Sequence, residues 1–162
     1  MDAKKIMVLG TGGTIAGTAA RSDDSVGYSA AQIGIRELLA ALPGLQGLCV
    51  EAEQVAQIDS KDMDHGTWLQ LSRRCQAAME RPNVQGVVGT QRTDTLAESA
   101  FFLQRVLSPR KPLVLTGAMR PSTALLADGP QNLLDAVAVA RGGELAGVLV
   151  VFAAATRFNA VF

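Results

Sequence analysis

Ile6-Met7-Val8-Leu9-Gly10-Thr11-Gly12-Gly13-Thr14-Ile15-Ala16-Gly17 is the stretch from which the rest of the chain is read. Ile6–Leu9 is a short apolar run halted by glycine, the mark of a buried strand. The glycines after it free the backbone for a turn and for close approach by another group. Two hydroxyls, Thr11 and Thr14, stand among them. The spacing is not a dinucleotide fingerprint, because Gly-x-Gly-x-x-Gly needs glycine at position 15 and meets Ile15. It is not a Walker loop either, since no Gly-Lys-Ser/Thr follows. These residues alone read as a glycine-rich turn at a strand end.

The same grammar repeats outward. Strands are predicted at Cys49–Ile58, Val84–Val88, Leu113–Leu115 and Val148–Phe152. Helices are predicted at Ile33–Leu42, closed by Pro43-Gly44, and at Met63–Met79, closed by Arg81-Pro82. A third spans Leu96–Leu107 with Asp94 or Thr95 as N-cap, and a fourth opens at Asp128-Gly129-Pro130 with Asp128 as cap. Alternating strands and helices predict an open parallel α/β sheet in three layers, flavodoxin-like or Rossmann-like, with helices on both faces. Ligands in such sheets bind beyond the carboxyl ends of the strands. The loops after Leu9, Ile58, Val88 and Leu115 are therefore the informative ones.

The chain has 162 residues, 48% hydrophobic and 19% charged, a length that suggests one domain. That balance excludes intrinsic disorder. Fifteen basic residues offset fifteen acidic ones. Nothing here supports binding to a nucleic-acid backbone, and net charge gives little protection against self-association. The apolar run after Lys4-Lys5 is too short for a signal peptide, and none reaches a membrane span of about 20 residues. A soluble, cytoplasmic protein with no membrane or nucleic-acid partner is expected. Cys49 and Cys75 lack metal-ligand spacing and read as two free, buried thiols; no metal site is expected.

Two further loops carry candidate chemistry. Asp59-Ser60-Lys61-Asp62-Met63 offers Ser60 as a helix cap or a binding hydroxyl. Gly89-Thr90-Gln91-Arg92-Thr93-Asp94-Thr95 sets hydroxyls beside a carboxylate, which either caps a helix or engages a substrate. His65 reads as a surface residue at a helix start, Trp68 as core or interface. Met119-Arg120-Pro121 reads as a turn and subunit contact.

Taken together, Thr11-Gly12-Gly13-Thr14-Ile15-Ala16-Gly17, Asp59-Ser60-Lys61-Asp62-Met63, Thr93-Asp94-Thr95, Gly117-Ala118-Met119-Arg120-Pro121-Ser122 and Asp128-Gly129-Pro130-Gln131-Asn132-Leu133 resemble the bacterial-type L-asparaginase family. The resemblance runs from residue 5 to about residue 152. It implies hydrolysis of the asparagine side-chain amide, with glutamine accepted by some members, and no metal or cofactor. It implies that Thr14 is the nucleophile, assisted by Tyr28 on a mobile lid spanning 19–28. Thr93 would be the second catalytic threonine, and Asp94 the carboxylate that grips the substrate α-ammonium. Ser60, with Lys61 beside it, would hold the α-carboxylate. A homo-oligomer, a tetramer in the family, is implied as well. The chemistry is coherent: an amide needs an activated nucleophile, donors for the developing oxyanion, and counter-charges for a zwitterion.

Three departures matter. The family loop usually reads Thr-His-Gly-Thr-Asp-Thr, whereas Gln91-Arg92 stand here in place of His-Gly. If that glycine has positive φ or admits the substrate closely, Arg92 strains the loop and crowds the site. Lys61 stands where many members carry glutamine. The chain is also about half the family's length. The lysine that pairs with the second threonine would follow the last strand, and the last lysine here is Lys111. Residues 1–152 thus read as the N-terminal α/β domain and 153–162 as an aberrant tail, with the C-terminal domain absent. The expectation is an asparagine amidohydrolase whose turnover is impaired. The alternative is a non-catalytic remnant that binds an amino acid or a full-length homologue.

Overall fold

The computed structural model describes residues 4–19, 28–29, 32–58, 64–153 and 155–158. Its main sheet uses six strands. They are β1 (Lys5–Gly12), β4 (Val50–Ile58), β5 (Val84–Thr90), β6 (Pro112–Thr116), β7 (Gly147–Phe152) and β8 (Ala155–Phe158). The order is β4-β1-β5-β6-β7-β8. All neighbours pair in parallel except β8, which runs antiparallel to β7. A two-residue hairpin, β2 (Thr18–Ala19) with β3 (Tyr28–Ser29), stands apart.

Among the described residues four α-helices cover the faces: α1 (Ile35–Ala40), α2 (His65–Glu80), α3 (Leu96–Leu107) and α4 (Gly129–Gly142). Strand alternation separates two cores. Ile6, Val8, Val88, Val114, Leu149 and Val151 face α1 and α4, meeting Ile35, Leu133, Ala136, Val137 and Ala140. Met7, Leu9, Val87, Leu113, Leu115 and Val148 face α2 and α3, meeting Leu71, Cys75, Ala78, Ala100 and Leu103. The predicted three-layer architecture is therefore observed. From β1, next to the edge strand β4, the chain passes over one face to β4, then returns over the other face to β5. The carboxyl ends of β1 and β5 flank the topological switch point, where such sheets open a crevice.

Several sequence expectations shift. β1 does not stop at Gly10 but runs to Gly12, because Gly10 still pairs with Gln54 and Thr90. α1 is shorter than predicted, since Gly34 precedes it and Pro43 begins a separate 3-10 turn. α2 starts at His65, and its cap is Asp64, whose Oδ1 accepts the Thr67 amide at 2.7 Å, not Ser60. Neither Asp94 nor Thr95 caps α3 through its side chain; Thr95 only occupies the N-cap position. The small hairpin and β8 differ from the sequence reading. β2 and β3 are two residues each, too short to show alternation, and β8 pairs back on the strand directly before it from within the segment read as a tail. Cys49 is exposed rather than buried, as the chain enters an edge strand there. Cys75 is buried, and burial pushes its thiol up to about 12, which leaves it inert. No helix among the described residues is long and apolar enough to cross a membrane.

At the amino end of the sheet, Glu51 on β4 binds Lys5 of β1 and Arg81 after α2, each at 2.7 Å. Hydrogen bonds from Arg81 and then Lys5 hold the Glu51 carboxyl down to about 2, from an ordinary 4.5. A depressed folded pKa means the stabilisation is complete above the unfolded value and fades as pH falls through the folded one. Glu51→Gln is therefore expected to lower unfolding stability at pH 7 modestly, since the pair is partly exposed. The gap from wild type should close between pH 4.5 and about 2 in denaturant titrations. A gap independent of pH over that window would contradict the assignment.

Candidate active site

Three loops leave the carboxyl ends of β1, β5 and β6 and pack against one another. The first is a 3-10 turn, Thr14–Ala16, entered through Gly12 at φ 93 and Gly13 at φ 86. These left-handed conformations favour glycine. Packing demands it too, since a Cβ on Gly13 would lie 2.6 Å from the Arg92 amide nitrogen and 2.7 Å from Arg92 Cγ. The freedom that the glycines confer is thus taken up by the neighbouring loop of the same chain. Thr11 donates its hydroxyl to the Thr90 carbonyl at 2.9 Å, a second tie between β1 and β5. Thr14 is 3% exposed, inside the turn.

The second loop, Gln91–Thr95, carries the hydroxyl–carboxylate pair. Gln91 is buried; its amide donates to the Thr116 carbonyl at 3.0 Å and its Nε2 to the Thr95 carbonyl at 3.1 Å. Thr93 directs its hydroxyl at Met119 Sδ, 3.4 Å away. Asp94 is exposed, and its Oδ2 lies 2.9 Å from Arg92 Nη2. The only non-glycine residues with positive φ among the described residues are Ser108 and Ala153. Arg92 is therefore not strained in the way the replaced glycine allowed for. Its crowding is real, because its stem lies on Gly13. Gln91 Oε1, Thr95 Oγ1 and Thr116 Oγ1 are buried beneath this rim without a hydrogen-bond partner among the described residues.

The third loop, 117–128, closes the crevice. A Cβ on Gly117 would collide with the Gln91 carbonyl oxygen and reach 3.5 Å from Thr93 Cγ2. Asp128 sits at the N-cap of α4 but makes no cap bond. Its Oδ2 and Oδ1 instead accept the backbone amides of Met119 and Arg120, each at 2.9 Å. One turn on, buried Asn132 donates from Nδ2 to the Gly117 carbonyl at 2.9 Å and accepts the Ala153 amide on Oδ1 at 3.1 Å. Ser122 binds the Gly17 carbonyl through both its amide, at 3.0 Å, and its hydroxyl, at 2.7 Å. The Ala19 amide at the foot of the small hairpin donates to Thr123 Oγ1 at 2.9 Å.

Thr14, Thr93 and Asp94 thus lie on loops in direct contact. Tyr28 is placed by its backbone alone, opposite Ala19 in the hairpin. Ser60 and Lys61 lie outside the described residues, as do positions 20–27 of the lid expected at 19–28. His65 begins α2, and Trp68 is half-buried, donating Nε1 to Ser99 Oγ at 2.8 Å and stacking on Phe102. Met119 and Arg120 lie in a bend, and the hydrogen-bonded turn comes just after them, closed by the Ala124 amide on the Pro121 carbonyl at 3.0 Å. Sequence reasoning missed the bracket made by Asp128 and Asn132. The signal available was a carboxylate and an amide four residues apart at a helix start, which places both on one face. No cluster among the described residues could hold a metal ion.

Comparison with known proteins supplies the relatives. The family model described as Asparaginase, N-terminal, matches residues 5–159. A glutaminase-asparaginase of Pseudomonas fluorescens biotype A is 44% identical over 143 residues, covering 88% of this chain and 40% of the relative. L-asparaginase 2 of Bacillus subtilis (strain 168) is 40% identical over 147 residues, covering 90% of this chain and 39% of the relative. The crystal structure of a probable cytoplasmic L-asparaginase from Campylobacter jejuni superposes with a TM-score of 0.92 at 40% identity. It takes in 96% of this chain and 48% of that one. The chain spans about two-fifths of the length of the curated relatives it matches.

Asp128→Ala removes the acceptor of two amides at once. It is expected to cost about 1–3 kcal/mol. Amide hydrogen exchange at Met119 and Arg120 should accelerate well beyond that of β6. Asp128→Asn, which keeps one acceptor oxygen, should fall between. Unchanged protection at both amides in Asp128→Ala would contradict the bracket.

Proposed function

Because the chain belongs to the asparaginase family, we propose that it carries the nucleophile-bearing portion of an L-asparaginase-type amidohydrolase. The observation that carries this is the meeting of three loops at the switch-point crevice, with Thr14 on one and Thr93-Asp94 on the next. The reaction is L-asparagine plus water to L-aspartate and ammonia. Relatives named glutaminase-asparaginase support L-glutamine as a further substrate. No cofactor or metal enters the scheme.

In this reading Thr14 Oγ attacks the carboxamide carbon, the C–N bond breaks, and the hydroxyl proton leaves with the ammonia. Water then cleaves the Thr14 ester, releasing the carboxylate and restoring the hydroxyl. Tyr28 assists Thr14, and Thr93 is the second hydroxyl at the reacting centre. Asp94 takes the substrate α-ammonium, and Ser60 with Lys61 takes the α-carboxylate. A threonine hydroxyl is a weak nucleophile, so its fixed place in a buried turn matters as much as its chemistry. The two loops are held at backbone contact by Gly13, which supports that placement. A cytoplasmic homo-oligomer, tetrameric as the family is, completes the proposal; the Campylobacter jejuni relative is itself described as probably cytoplasmic.

A second reading, binding of an amino acid or a full-length homologue without turnover, is favoured by one observation. Thr14 is 3% exposed, and the stem of Arg92 covers the adjoining Gly13. Ammonia release from L-asparagine separates the two. Release from the 162-residue chain is expected to fall by at least about 10³-fold in Thr14→Ala, as loss of a nucleophile does elsewhere. Wild-type rates in Thr14→Ala would overturn the nucleophile assignment. Saturable L-aspartate binding with no release would favour the second reading.

A further inference from the structure

Arg92 and Asp94 are two residues apart on the β5 loop, and their side chains meet at 2.9 Å, Nη2 to Oδ2. The Arg92 stem is pinned from below by Gly13, and its side chain is 23% exposed against 57% for Asp94. The guanidinium is therefore the more anchored partner, on a stem that rests against the glycine preceding Thr14. An incoming α-ammonium needs that same carboxylate. We propose that Arg92 is a specificity-determining residue that fills, from within the chain, the counter-charge place of the substrate ammonium. This rests on the reading of Asp94 given above.

The consequence is a shift in ligand class. A zwitterionic amino acid must displace a tethered cation to reach Asp94, so its ammonium adds little affinity. A dicarboxylate without an ammonium loses nothing by the pairing and meets an Asp94 already neutralised by Arg92. The site should therefore discriminate weakly between L-aspartate and succinate, which differ only by that ammonium. Exposed ion pairs are weak. Removing the Arg92 charge is thus expected to raise the L-aspartate to succinate affinity ratio by about five-fold, the equivalent of about 1 kcal/mol.

The experiment titrates the full chain, Arg92→Gln and Arg92→Gly with L-aspartate and with succinate, read by amide chemical shifts. Arg92→Gln keeps part of the stem and removes the charge, whereas Arg92→Gly removes both. The expected result is a ratio near one in the wild type, rising about five-fold in both variants. An unchanged ratio in Arg92→Gln overturns the inference. A rise confined to Arg92→Gly also overturns it, because the obstacle would then be bulk and not charge. Binding of neither ligand by any of the three proteins overturns the amino-acid site itself and this inference with it. That failure is distinct, because it is already visible in the wild type.

Discussion

Backbone contact between strand-end loops, with no room for a side chain between them, is the constraint on which this structure depends. Gly13 lies against the Arg92 backbone, and Gly117 lies against the Gln91 carbonyl. Each contact brings together loops from adjacent parallel strands, whose spacing is about 4.8 Å. Any Cβ at either position forces the loops apart. The loops that carry Thr14 and Thr93 are thus kept in contact by the absence of a side chain at Gly13.

Polar groups then lock what the glycines permit. Asp128 and Asn132, on the first turn of α4, hold two amides and a carbonyl of the 117–120 segment, and Asn132 reaches on to Ala153 at the end of β7. These two side chains couple the third loop to the rest of the sheet end. A carboxylate at a helix start is also favoured by the helix dipole, so its retargeting from cap to loop loses little. The opposite end of the sheet is fastened differently, by the Lys5–Glu51–Arg81 cluster. One end is built on charge pairs at a partly exposed surface, the other on side-chain to backbone hydrogen bonds, of which the Asn132 to Gly117 bond is buried and the two Asp128 bonds are exposed.

The layer architecture was legible because strand and helix periods are written locally. Ile6 and Val8 against Met7 and Leu9 already divide the two cores. The glycine loop was legible as permissive, but not as to what approaches it, since that depends on Arg92, nearly eighty residues away. β8 was hidden because it lies in the segment that reads as an aberrant tail, although it folds straight back on β7, and β2 and β3 because two residues each are too short to show a period. Asp128 was read as a cap because the local pattern fits one; only the returning loop reveals the other use. The roles of Thr14, Tyr28, Ser60, Lys61, Thr93 and Asp94 came from resemblance to a family and not from periodicity, and they stand as proposals about chemistry.

The most direct test of the account is the map of backbone amides perturbed when L-aspartate is added to the isotopically labelled chain. Saturable shifts are expected together in Gly13–Gly17, Gln91–Thr95 and Gly117–Arg120, with Lys5, Glu51 and Val84 at the other end of the sheet unmoved. Shifts confined instead to the groove of about 730 Å³ beside β4, lined by Met7, Leu39, Leu45 and Val50, would contradict it.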